Sequence, residues 1–254
     1  MRSPDTPSDV QTLASIPTWG TVASYRRTWG IDQPRSLNAE IHSLNWPESD
    51  PRLADDQKGV FKHFQLPLTQ HHRKLDHSSW MDAVLQQSKA DVVLFVDNDC
   101  VPLTRAAVME ALQWAAKQNS FLGLAQATNH INRGVHVFAG PAFLAIARTA
   151  WTRLGQPSCR PTPRGDVAEE LSWRAEEQGL PYKAWYPSHF HHPSREGLWR
   201  LGNYGTYGIG SVFADRVFHL YQGRFADNVD LFVQVCNDIR NDRFSTEGYR
   251  SCIS

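Results

Sequence analysis

One segment constrains this chain more than any other: Ala90-Asp91-Val92-Val93-Leu94-Phe95-Val96-Asp97-Asn98-Asp99-Cys100-Val101-Pro102-Leu103. The unbroken apolar run Val92 to Val96 predicts a strand buried on both faces. A strand locked into a core fixes whatever charge stands at its end, and here that charge is two carboxylates one residue apart. So close a pair repels unless a cation lies between the groups. Oxygen donors of this kind suit Mg²⁺ or Mn²⁺, ions that commonly hold phosphate oxygens as well. The segment points to a metal-bound phosphate ester at the end of a central strand.

The surrounding pattern predicts an α/β fold with a mostly parallel, Rossmann-like central sheet flanked by helices. Short alternating stretches predict strands over 37–44 and 60–68, with a loop at 45–51. Ser79 is placed to cap a helix running to Lys89, and Thr104 to cap one carrying Val108, Ala111, Leu112 and Ala115 on one face. Strand material follows at 121–127 and 135–146, the second interrupted by Gly140-Pro141. A helix is expected from Asp166 to Gln178, a strand over 182–186, a flexible glycine-rich loop over 202–210, a strand within 212–221 and a last helix over 228–240. Ligands of such sheets bind beyond the C-terminal ends of the strands, where Asp97 and Asp99 fall.

The 254 residues are expected to form a loose tail over 1–17 and one domain over 18–254, with a first half to about 120 and a second from about 121. Lys plus Arg and Asp plus Glu both number 26, so there is no broad basic field, which argues against nucleic acid as a partner. Cysteines 100, 159, 236 and 252 contain no CxxC pair, so neither a zinc site nor a disulfide framework is expected. The N-terminus has no signal-peptide apolar region, and the longest apolar stretch, 135–147, is too short to span a bilayer. A cytoplasmic protein without a membrane span is the expectation.

Three further groups can carry chemistry. In Arg164-Gly165-Asp166-Val167-Ala168-Glu169-Glu170-Leu171-Ser172-Trp173-Arg174, helical spacing puts Asp166, Glu169 or Glu170, and Trp173 on one face. One of these carboxylates can take a proton from an attacking hydroxyl, and Trp173 can stack on a sugar ring. The same residues also read as a capping box, Asp166 with Glu169, and an i,i+4 ion pair, Glu170 with Arg174. Gly140, in Phe138-Ala139-Gly140-Pro141, allows either a close ligand approach or a strand kink. Late histidines complete the set: His219 on an expected strand, then His191 or His192, with Arg216 and Arg224 flanking His219.

Taken together, Lys74 to Leu85 followed by Ala90 to Leu103 resembles the donor-binding half of GT-A-fold glycosyltransferases of the family 2 type, in which a helix leads into an apolar strand ending in D-x-D. The resemblance implies a GT-A-like fold and a UDP- or GDP-sugar donor. It implies Mn²⁺ or Mg²⁺ bridging the diphosphate to the protein, a carbohydrate or other hydroxyl acceptor, and inversion at the anomeric carbon. By position, Asp99 resembles the main metal ligand and Asp97 the residue nearer the donor ribose or sugar. His77 and Lys74 stand where donor contacts often lie, Gly140 under the donor sugar or acceptor, and His219 where a late histidine completes the metal shell. The acidic segment resembles the family's catalytic motif, but its spacing departs from the commoner ED-x-D-L form. The base is left open among Asp166, Glu169 and Glu170. The same carboxylate and cation chemistry also suits a nucleotidyltransferase, which would want a basic phosphate loop near the first strand, where 21–29 offers only Arg26 and Arg27. A non-catalytic nucleotide-sugar-binding domain is the third possibility.

Overall fold

A computed structural model describes residues 37–252. The tail expected over 1–17, and Arg26 and Arg27, lie outside the described residues. The elements run β1 (Ala39–Asn45), α1 (Pro51–His63), β2 (Thr69–His72), α2 (His77–Gln87), β3 (Val92–Val96), β4 (Cys100–Pro102), α3 (Arg105–Gln118) and β5 (Phe121–Ala127). They continue with α4 (Asn129–Asn132), β6 (Val137–Ala147), α5 (Arg148–Arg153), α6 (Glu169–Glu177), β7 (Lys183–Trp185), β8 (Pro187–His192) and β9 (Trp199–Leu201). The chain closes with β10 (Gly205–Tyr207), β11 (Ile209–Phe213), β12 (Val217–His219), α7 (Ala226–Arg240) and β13 (Arg250–Ser251).

The fold is α/β. Its central sheet has the order β2-β1-β3-β6-β5-β7. The pairs β1/β2, β1/β3 and β5/β7 are parallel, and β6 runs against both β3 and β5. Five of the six strands therefore share one direction. β3 sits between β1 and β6, and all five of its side chains are buried, as an uninterrupted apolar run requires.

A second, antiparallel sheet, β13-β8-β11-β12-β4, packs against α7 and α1. Val101, Ile209, Val212, Phe218, Phe232, Val235 and Ile239 fill that interface together with Leu53 and Val60 of α1. The chain leaves the first sheet at Val96, turns through Asp97-Asn98-Asp99, and enters the second sheet at Cys100. The D-x-D triplet is thus the joint between the two sheets. Gln57, fully buried on α1, holds that joint: its amide donates to the Asp97 carbonyl at 2.6 Å and the Cys100 carbonyl at 3.0 Å.

Several expectations are corrected. The stretch 60–68 is not a strand: 51–63 is helix α1, capped by the Asp50 side chain and started by Pro51. Its buried Leu53, Ala54, Gln57, Val60 and Phe61 repeat at helical spacing, which a window opening at 60 cuts in half. Helix α2 is capped by Asp76, whose carboxylate accepts from the Ser79 backbone, so it starts two residues before Ser79. Gly140-Pro141 does not interrupt β6; the irregularity falls in its pairing with β5, between Leu122 and Leu124. Helix α6 begins at Glu169 rather than Asp166, because Ala168 adopts the left-handed conformation (φ 62°) and the preceding residues form a tight turn. The segment 202–210 contains β10 and the start of β11, and 212–221 is a hairpin rather than one strand.

Replacing Gln57 by Leu removes the shared donor from two carbonyls at the joint. We expect Gln57→Leu to lower unfolding stability by about 1–3 kcal/mol in urea denaturation. A loss under about 0.5 kcal/mol, the range of neutral surface changes, would show that the joint does not depend on it.

Candidate functional site

The pairing of β4 with β12 sets His219 opposite Cys100, and the Leu220 amide donates to the Asp99 carbonyl at 2.9 Å. This register carries a side chain 120 residues distant in sequence onto the D-x-D turn. His219 Nε2 lies 3.2 Å from Asp99 Oδ1 and 4.0 Å from Asp97 Oδ2. The three residues can present one donor atom each, all within 4.8 Å of one another. Two carboxylates and an imidazole fit a divalent cation that prefers oxygen but accepts nitrogen. His219 Nδ1 is buried without a hydrogen-bond partner among the described residues; Asp99 and the Tyr221 ring, 3.8 Å away between centroids, orient the imidazole. Gly223 closes over Asp99, leaving so little room that a Cβ there would sit 3.1 Å from Oδ2.

His77, the first residue of α2, faces Asp97 from the other side, its Nε2 3.1 Å from Oδ1. Its ring stacks on Trp80, centroids 5.6 Å apart and planes 19° apart, which fixes its direction. Burial works against the charged imidazole, but the charge and hydrogen bond of Asp97 outweigh it and leave the His77 pKa raised. Asp97 is lowered in turn: burial would raise it, and His77 more than compensates.

These side chains line a cavity of about 290 Å³ with Leu44, Trp46, Gln126, Pro141, Asp166 and Val167. A second hollow of about 770 Å³ adjoins it and shares Trp46, Asn98, Asp99 and Gln222. Trp46 stands between the two. Its indole N–H donates to the Leu75 carbonyl at 2.6 Å, and 42% of the residue is exposed, so an aromatic face is held open at the cleft.

The acidic segment divides. Asp166 lines the cavity, and its Oδ1 accepts from the Val167 amide at 2.7 Å. Glu169 is fully buried and accepts from Thr128 Oγ1 at 2.5 Å, from the Asp166 amide at 2.8 Å and from His136 Nδ1 at 2.5 Å. Burial would raise its pKa; these donors leave it lowered. Glu170 pairs with Arg164 at 2.8 Å and Arg174 at 3.0 Å, and its carboxyl is lowered, Arg164 first. Neither Glu169 nor Glu170 lines the cavity. Half of a capping box forms, from Glu169 back to the Asp166 amide, while the Asp166 carboxylate faces the cleft.

The remaining candidates lie apart. Trp173 stacks on His136, centroids 3.6 Å apart, away from the cavity. Lys74 is exposed and paired with Glu48 at 2.7 Å, beside the second hollow. Gly140 lies against Gln126, whose side chain would collide with any Cβ there, so close strand packing requires this glycine. His191, on β8, meets His192 and Tyr249. Arg216 pairs with Glu110 at 2.6 Å, and Arg224 borders the second hollow. Sequence reasoning missed Trp46, Gln126 and Tyr221. Trp46 alone left a signal, a large aromatic directly after a strand and before Pro47.

No protein-family model matches the chain, and no curated protein matches it. Similar solved structures include a mannosyltransferase from Pyrobaculum calidifontis in complex with GDP-Man and Mn²⁺, 12% identical, TM-score 0.42, the match covering 58% of this chain and 54% of that one. The glycosyltransferase GlyE of Streptococcus pneumoniae is 11% identical, TM-score 0.37, with 57% and 44% covered. A glucose-1-phosphate thymidylyltransferase, described as putative, from Bacillus anthracis is 10% identical, TM-score 0.34, with 58% and 86% covered. The chain thus spans about half the length of the mannosyltransferase it overlaps. At these identities and TM-scores the chemistry has to come from the residues of the site itself. Among the described residues no helix is long and apolar enough to cross a membrane.

A cation that binds the folded site adds stability by mass action, about 2.7 kcal/mol at a hundred times its Kd. Mn²⁺ or Mg²⁺ should therefore raise the melting temperature of the wild-type protein in a thermal scan. Asp99→Asn and His219→Ala should abolish the rise; an equal rise in both variants would place the ion elsewhere.

Proposed function

We propose that this protein is a glycosyltransferase of GT-A type, moving a sugar from a nucleotide-diphospho sugar to a hydroxyl acceptor. The observation that carries the proposal is the convergence of Asp97, Asp99 and His219, drawn from two sheets, in a cleft that also contains Asp166. Asp99 and His219 would be the principal cation ligands, with Asp97 completing the set. Of the two candidate ions Mn²⁺ suits an imidazole ligand better than Mg²⁺ does. When bound, the ion supplies positive charge against the diphosphate that leaves.

The chain's own residues divide the rest of the work. His77 holds Asp97 in place from the side away from His219. Trp46 offers its exposed face to the base or sugar of the donor. Asp166 accepts the proton of the acceptor hydroxyl as that oxygen attacks the anomeric carbon, which gives inversion if the attack comes from the face opposite the diphosphate. Glu169 and Glu170, already committed to Thr128, His136 and two arginines, shape the segment rather than take that proton. Lys74 can reach a phosphate only by leaving Glu48, and Gly140 and Trp173 act through packing. Zero net charge favours a carbohydrate or other small hydroxyl acceptor over polymeric nucleic acid, and we place the protein in the cytoplasm.

A panel of UDP- and GDP-sugars, offered with and without Mn²⁺, tests this reading through nucleoside diphosphate release. We expect Mn²⁺-dependent release from at least one donor, slow into water and faster with an acceptor. Asp166→Asn should lower kcat by about 10²–10⁴-fold while leaving donor binding intact. No binding or turnover of any donor would contradict the proposal. Consumption of a nucleoside triphosphate with pyrophosphate release would make the protein a nucleotidyltransferase instead.

A further inference from the structure

Glu169 presents a physical problem that cleft chemistry does not answer. A fully buried carboxylate is costly, and an apolar side chain of similar volume would pack there at least as well. The surroundings are built for it nonetheless. Thr128 stands just beyond the end of β5, His136 just before β6, and the Asp166 amide lies in the turn ahead of α6. Each points a donor at the same carboxylate. Gly165 supplies the space: a Cβ there would lie 2.8–2.9 Å from Glu169 Cδ, Cβ and Cγ. His136 is itself fixed, stacked on Trp173 and bonded through Nε2 to Glu176 at 3.2 Å.

We propose that Glu169, with Thr128 and His136, is a positioning device that sets the Asp166 backbone, and through it the Asp166 carboxylate, against the cation site. This rests on the assignment of Asp166 as the base. The contact between Glu169 and Asp166 lies ahead of the first turn of α6, so it locks a turn rather than satisfying an interior helix bond. Ala168, left-handed in that turn, shows that the backbone is bent away from a simple helix start. Val167, next to the locked amide, lines the cavity beside Asp166, so a slackened turn would move both. A displacement of about 1 Å in a reacting group can cost about 100-fold in rate.

Glu169→Gln tests the device with little change of shape. Its Oε1 can still accept from His136, but its NH₂ then faces the Asp166 N–H, donor against donor. Thr128→Val and His136→Asn loosen the same carboxylate from its other partners without removing it, and they carry the test if Glu169→Gln does not fold. The first readout needs no substrate: the Asp166 amide proton, by NMR, should move upfield and exchange faster with solvent in these variants. An unmoved amide in folded variants would overturn the proposal. The second is a double-mutant cycle on Mn²⁺-dependent hydrolysis of UDP-glucose or GDP-mannose. Glu169→Gln should lower kcat about 100-fold with donor KM unchanged. In an Asp166→Asn background it should cost little more, since it acts through the residue already disabled. Additive losses, or a rise in KM at constant kcat, would overturn the proposal. A silent Asp166→Asn would instead remove Asp166 as the base, and the amide signal would still decide whether Glu169 holds the turn.

Discussion

The structure turns on the mutual repulsion of two carboxylates that a buried strand forces together. β3 cannot move, since its five side chains are the centre of the first sheet. Asp97 and Asp99 therefore cannot relax apart by shifting the strand. The fold brings an imidazole to each acid, from two directions. His77 approaches Asp97 from α2, and His219 approaches Asp99 from β12. The second sheet exists at this place because β4 continues directly from the triplet, so the strand that follows Asp99 also pairs with the strand that carries its histidine.

The acids of the α6 segment show how one sequence pattern can serve three physical ends. Asp166, Glu169 and Glu170 stand within five residues, yet one faces the cleft, one is buried under three donors and one is spread between two arginines. What sorts them is the turn at Ala168. With a helix start at Asp166, the face shared by all three would look the same way. Delaying the start to Glu169 sends Glu169 inward and leaves Asp166 in the open turn.

Much of this was legible in the sequence where a single strong local signal existed. The run Val92 to Val96 could only be a buried strand, the Thr104 cap is formed as expected, and the last helix forms as α7 over the stretch expected for it. The α/β class with a mostly parallel sheet followed from that alternation. Helix α1 was lost because its buried positions include Gln57, a polar residue whose reason to be inside is a pair of carbonyls forty residues away. The second sheet was lost because β4 and β12 have three residues each and β13 two, too few to show alternation. The partners of Glu169 were also beyond reach, since Thr128 and His136 are set by the pairing of β5 with β6 and not by any local motif.

In the proposed site one cation is held jointly by the D-x-D turn and by His219. Electron spin echo spectroscopy of the Mn²⁺-loaded protein reads that directly, since a coordinated imidazole modulates the echo at nitrogen frequencies. Such a modulation is expected in the wild-type protein, carried by one histidine and absent in His219→Ala. A bound Mn²⁺ with oxygen ligands alone, or a nitrogen signal that survives the loss of His219, would contradict it.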